Sequence, residues 1–350
     1  MSPFIPPRCP NPACPRHRDP THGFYTRQGA YRPQCRKFAV PRFLCKTCRK
    51  GFSLQTFRAD YRDRRPETNV LVLKFLVSGA GLRQTAREAH LGVHSVQKKF
   101  RKLSRVMGGL NHNLLQQLPP NRTYLLDELE TFENLSILPV TVPVLIEKES
   151  KLVVATGAAP IRRVRKKGSH RQRWLESYEQ QHGKRRDLSK ACVKRTFKRF
   201  QKLLGGAKAV LLTDEKPLYA SLCRKTFGDQ VLHLTCSSKL VRDTRNLLFA
   251  INLTDTMLRD NCGRLRRRSW LVSKKRKFLR LQLELFTAYR NWHRKRVNTD
   301  EPGVTSGTML GIVSRKLEWE EMLAWRQDWA LRSIHPASWT GRETVREVVV

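Results

Sequence analysis

Carboxylates are scarce in this chain: 29 Asp and Glu stand against 69 Lys and Arg over 350 residues, leaving a formal charge of +40. A compact molecule with that excess repels itself unless a polyanion neutralises it. Nucleic acid is the expected partner, because each neutralised phosphate releases condensed counterions. Long apolar runs are missing too. None approaches the roughly 20 residues that span a bilayer, and Met1–Arg8 has no apolar stretch of secretory type. Neither membrane insertion nor export is expected, and the cytoplasm is the expected compartment. No internal repeat or long low-complexity linker occurs. No G-x-S-x-G elbow, P-loop or Rossmann glycine pattern falls in a strand–helix context, which sets aside those hydrolase and nucleotide-binding classes. What remains is 39% hydrophobic and 28% charged, enough to build a core over two or three domains.

Nine cysteines without an export signal argue for reduced thiols, and five of them fall within the first 48 residues. Cys9-x4-Cys14 and Cys45-x2-Cys48 form two short knuckles separated by enough chain for a hairpin. Tetrahedral zinc takes four thiolates in such turns, so residues 1–57 read as a zinc ribbon with structural Zn on these four. Apolar residues are too few there for a self-sufficient core, so metal binding would carry much of its folding free energy. In FLCKTCRKGFSL, Phe43 and Leu44 lead into the turn, Gly51 is expected to relax it, and Phe52 to pack behind it. Cys35, His17 and His22 are spare potential ligands, read as bystanders. Cys192, Cys223, Cys236 and Cys262 read as buried hydrophobes.

Residues 58–118 read as a helix-turn-helix DNA-binding domain, helical from about 66 up to Pro119-Pro120. GLRQTAREAHLGVHSVQKKFRKL has helix-turn-helix spacing: Leu82, Ala86 and Ala89 mark a buried face, continued by Val96, Phe100 and Leu103. Gly92 is expected to take a left-handed turn conformation. The other face carries His94, Ser95, Gln97, Lys98, Lys99 and Arg101 as expected DNA contacts.

Residues 119–300 alternate between strands and helices. TYLLDELETF, PVTVPVLIE and KLVVATGAA read as three strands; KAVLLTD as a fourth and QVLHLTC as a further short one. A basic helical insertion covers 160–207, helices run on to Arg296, and 301–350 forms a helical extension with Trp319, Trp325 and Trp329 as packing or protomer contacts. Phe278, Leu281, Leu285, Tyr289 and Trp292 repeat at helical steps as a core stripe. Asp127 lies inside the first strand, and Asp214 closes the fourth. Phosphodiester chemistry uses carboxylates that hold two divalent ions about 3.5–4 Å apart, and hard oxygen ligands suit magnesium or manganese. A ribonuclease-H-like domain, an α/β fold with a mixed five-stranded sheet and flanking helices, needs acids at those two strand positions. Glu128 and Glu130 flank Asp127; the two-residue period turns Glu128 to the opposite face.

On these motifs the chain resembles bacterial insertion-sequence DDE transposases with an N-terminal zinc ribbon and helix-turn-helix. LDELETF is similar to their first-aspartate motif and TDEKPLY to their second, while INLTDTMLRDNCGRLRRRSWLVSKK resembles their third-acid helix. The likeness runs from Cys9 to about Trp292 in the family's domain order. It implies metal-dependent cleavage and strand transfer on an element's terminal repeats and on target DNA. It also implies a homodimer or higher multimer associated with the bacterial nucleoid, with Asp127 and Asp214 as metal ligands. The third position departs from the pattern: Asn252 stands where the family has glutamate. Asp255, one helical turn on, is the expected third acid, with Asn252 as a weak metal ligand, whereas Asp260 is rotated away. A degenerate, non-catalytic DNA-binding regulator and a structure-selective nuclease of the same fold stand as alternatives.

The positive charge is clustered. Residues 160–208 hold 17 Lys and Arg against 3 acids, and residues 264–296 hold 13 against 1. Arg266, Arg267, Arg268, Lys274 and Lys275, following the third acid, are expected to grip phosphates.

Overall fold

A computed structural model of the protein describes residues 4–35, 38–163, 167–237, 239–241, 243–266 and 269–325. Arg267, Arg268 and Trp329 lie outside the described residues.

After a single helical turn, α1 (Pro15–Arg18), the strands β1 (Tyr25–Tyr31), β2 (Val40–Cys45) and β3 (Gly51–Ser53) form an antiparallel sheet in that order. Alternation along β2 turns Phe43 and Cys45 inward. Phe52 stacks over Phe24 at 6.3 Å and Phe43 at 5.7 Å, with Phe57 edge-on. The turn does not rely on Gly51, which already pairs with Leu44 in the sheet. Arg49 takes the left-handed conformation instead (φ +56°), because its N–H bonds back to the Cys45 carbonyl at 2.9 Å.

Three helices follow: α2 (Asn69–Val77), α3 (Leu82–Glu88) and α4 (Val93–Leu115). Gly92 does not adopt the left-handed turn expected of it. The chain reverses at His90 (φ +49°), where the Leu91 N–H closes onto the Ala86 carbonyl at 2.9 Å. Gly92 is extended and caps the start of α4, a position glycine tolerates well. Along α4, Val96, Phe100, Leu103, Leu110 and Leu114 are buried in the hydrophobic cluster that also holds the sheet residues Tyr124 and Leu126. These helices thus share a core with the sheet.

That sheet is built from β4 (Thr123–Phe132), β5 (Pro139–Glu147), β6 (Val153–Thr156) and short β7 (Ala159–Pro160). Helices α5 (His170–His182) and α6 (Ser189–Leu204) intervene before β8 (Ala209–Thr213), α7 (Pro217–Phe227) and β9 (Val231–Thr235). The strand order is β6-β5-β4-β8-β9. β5 is antiparallel to β4 and β6, while β8 and β9 are parallel to β4 and to each other. Five strands were expected; β7, pairing with the far end of β5, makes a sixth. β5 is buried along nearly its whole length, as a strand covered on both faces must be. Tyr124 and Leu126 face α6 and α7, and Leu125 and Leu129 face α8 (Phe249–Asn261). This is a ribonuclease-H-like fold preceded by a four-cysteine module.

α9 (Arg276–Ala288) packs along α4, and the expected stripe lies in this contact: Phe100 stacks on Phe278 at 6.3 Å and the Trp292 indole donates to Asn111 at 2.8 Å. Short α10 (Ser306–Met309) and α11 (Trp319–Ala324) complete the layer, with Trp319 and Trp325 buried. No helix among the described residues is long and apolar enough to cross a membrane.

Candidate metal centre and acidic cleft

Cys9 and Cys14 flank the turn before α1, and Cys45 and Cys48 the turn between β2 and β3. The hairpin brings all four sulfurs within 4.8 Å of one another. Cys9 and Cys48 are 3.5 Å apart and Cys14 and Cys45 3.9 Å, and none is in a disulfide. Sulfurs on one tetrahedral zinc, each about 2.3 Å from it, stand about 3.8 Å apart, so the cage has the right size. Burial raises the Cys9 and Cys14 thiols. For Cys48 burial works the same way, but the Lys50 N–H, Asn11 and the neighbouring thiols outweigh it and bring it down to about 6. His17 is occupied with the Cys9 carbonyl at 2.7 Å, and Cys35 is exposed against the Asp63 carbonyl. The other four cysteines are buried.

The acids gather at the end of the sheet where β4 and β8 run side by side. Thr123 pairs with Val210 and Leu126 with Thr213, a constant offset of 87 positions; Asp127 and Asp214 each follow directly on the last of these pairs. Adjacent strands are about 4.8 Å apart, so the two backbones are neighbours. On the α8 side, Asp127, Asn252, Asp255 and Arg259 line one cavity of about 500 Å³. Burial, then the Asp127 charge, pushes the Asp255 carboxyl up to about 8, with Arg259 opposing. The residue keeps some exposure, but its Oδ1 is buried and has no hydrogen-bond partner among the described residues. Asp127 accepts the Glu128 N–H at 2.6 Å, and Asp214 accepts the Lys216 N–H at 3.1 Å. Asp260 is exposed. Among the described residues only the four cysteines bring three or more metal-ligating atoms within 4.8 Å; no carboxylate trio does.

Glu128 turns to the α7 side, as the strand period requires, and is far from idle. Its carboxylate accepts the Tyr219 hydroxyl at 2.8 Å and the Thr141 hydroxyl at 2.5 Å, and pairs with Lys216. Burial and the Glu128 charge, then Asp214 and Asp127, hold the Tyr219 phenol protonated. The network ties β4, β5 and α7 together beside the acids. Its sequence signal was the inward acid on a strand face otherwise made of Tyr124 and Leu126. Arg259 was also missed as a cavity residue; its spacing of four from Asp255 on α8 was the available sign.

Of the expected DNA contacts on α4, His94, Ser95 and Lys98 are exposed and Gln97 is half-buried. Lys99 is a correction. It is buried, with its ammonium on both Asp63 oxygens (2.7 and 2.6 Å), the Arg65 carbonyl and Asn69 Oδ1, so it cannot reach a phosphate. Arg101 lies over the Phe278 ring at 5.2 Å. Arg266, Lys274 and Lys275 are exposed. Much of the second basic tract turns inward: Arg264 packs on Phe100 and Phe278, Arg276 pairs with Glu133, and Arg290 is fully buried. No protein-family model and no curated protein matches this chain.

Proposed function

We propose that this protein is a DNA transposase of the acidic, divalent-metal type, cleaving and joining strands at the ends of its own element. The observation that carries the reading is the parallel β4–β8 register, with Asp127 inside β4 and Asp214 directly after β8. Asp255 supports it from α8: it lines a cavity with Asp127, and its buried Oδ1 has no hydrogen-bond partner among the described residues. An orphaned carboxylate oxygen in a cleft suits a hard cation such as magnesium or manganese. Asp127, Asp214 and Asp255 would hold two such ions, with the Asn252 carbonyl as a weak fourth donor. Bound there, one ion would activate the attacking oxygen and the other stabilise the leaving one. Glu128, Lys216 and Tyr219 keep the two strand ends and α7 in fixed relation. The exposed α4 residues His94, Ser95 and Lys98, with Lys274 and Lys275, would contact DNA, and the four-cysteine module would carry structural zinc.

One observation favours a second reading, a DNA-binding protein without catalysis: among the described residues no three carboxylates close to ligand distance. The test is cleavage of element-end DNA with magnesium by wild type, Asp127→Ala and Asp214→Ala. Cleavage by wild type alone is expected. Equal cleavage by all three would remove the carboxylate mechanism, and DNA binding with no cleavage by any would favour the second reading.

A further inference from the structure

A second cavity, of about 240 Å³, lies where α6 and α9 meet the β6–β7 end of the sheet. Three arginines converge on it: Arg195 and Arg199 from successive turns of α6, and Arg280 from α9. Arg280 is held in place by the Ala158 carbonyl, which accepts from its Nε at 3.3 Å and its Nη2 at 2.9 Å. Arg199 approaches Glu284 at 3.7 Å. Neither Arg195 nor Arg280 meets a carboxylate among the described residues, so the cavity keeps an excess of positive charge. Its floor is fixed by close contact. A Cβ on Gly157 would come within 2.6 Å of the Cys192 sulfur and 3.2 Å of Pro143, so no side chain fits at that position.

Guanidinium groups present planar forks that match phosphate oxygens two at a time. Like charges brought together around an open space, one of them anchored by a backbone carbonyl, are stabilised when an anion enters. We propose that this cavity binds a phosphate group, and that the group belongs to the backbone of bound DNA. The exposed Lys194 and Lys198 on the same helix extend the positive surface beside it. The inference rests on the DNA-binding half of the reading above and is independent of cleavage.

The test uses the full zinc-loaded chain without added magnesium or manganese, which silences any cleavage. Binding of an arbitrary 20-base-pair duplex is followed by fluorescence anisotropy over a range of salt, for wild type, R195A/R280A and a charge-matched control, R224A/K225A, on α7. Losing one phosphate contact lowers the salt slope by about 0.9. The double variant is expected to show that drop, with binding weakened about tenfold at low salt, and the control neither change. Arg195→Ala alone, at an exposed residue without an ion pair, repeats the measurement if R195A/R280A melts early. In parallel, thermal melts compare phosphate with chloride at equal ionic strength. A phosphate-specific rise lost in Arg195→Ala, with duplex binding unchanged, upholds the anion site and assigns it to the free ion. Wild-type slope and wild-type phosphate response in the variants would overturn the proposal, as would an equal slope change in the control. Duplex binding is read without cleavage, so failure of the cleavage reading would leave this result standing.

Discussion

Asp255 on α8 lies within the field of Asp127 on β4, and the two carboxyl groups face the same cavity. Burial, reinforced by that neighbouring charge, pushes Asp255 up to about 8, while Arg259 pulls the other way. A proton or a cation between them relieves the same repulsion.

The sign of the pH effect follows. A carboxyl raised in the folded state binds more protons folded than unfolded between about pH 4 and pH 8. Its contribution is most favourable below its ordinary value and is lost as pH rises through about 8. Each tenfold change in proton affinity is worth about 1.4 kcal/mol. In metal-free protein, Asp255→Asn should therefore stabilise the fold by a few kcal/mol at about pH 8 and by little at about pH 4. Denaturant melts at the two pH values check this, and equal effects at both would remove the coupling.

The four-cysteine cage should bind one zinc per chain. Cys45→Ser should abolish that stoichiometry and unfold the N-terminal sheet while leaving the ribonuclease-H-like domain folded, because the two have separate hydrophobic clusters. Structural zinc supplies on the order of 10 kcal/mol to such modules. Cys35→Ser should leave metal content unchanged. Elemental analysis with amide exchange decides, and zinc loss in the Cys35 variant would reassign the ligands.

Lys99 and Lys98 should separate stability from binding. Lys99→Met strands the buried Asp63 carboxylate and should cost about 3–5 kcal/mol. Lys98→Ala, exposed on the same helix, should change stability by less than about 0.5 kcal/mol and weaken duplex binding. Paired unfolding and anisotropy measurements test both; the reverse pattern would return Lys99 to the DNA face.

Gly109 permits α4 to touch Trp325, whose ring would lie 2.4 Å from an added Cβ. Gly109→Ala should destabilise by about 1–3 kcal/mol. Combining it with Trp325→Leu should cost less than the sum, since the clash vanishes with the ring. Strict additivity in a double-mutant cycle would show that α4 accommodates the methyl by moving.

Local pattern was enough to delimit the elements. Cys-x4-Cys and Cys-x2-Cys marked the cage, the period of two in TYLLDELETF separated Asp127 from Glu128, and the stripe from Phe278 to Trp292 announced a packed helix. Where local rules misled, a neighbouring hydrogen bond had already fixed the geometry. His90 took the left-handed conformation expected of Gly92, and Arg49, not Gly51, eased its turn, because closing each turn demanded it there.

The sequence by itself determined charge, order of elements and the identity of the thiol ligands, since each depends on residues close in the chain or on simple sums. Only the tertiary structure decided which cations face solvent. Lys99 and Arg264 are indistinguishable from surface residues until Asp63 and Phe100 arrive from distant segments. The same holds for Asp255: its raised carboxyl depends on burial and on a charge 128 positions away in the chain, and no local spacing encodes either.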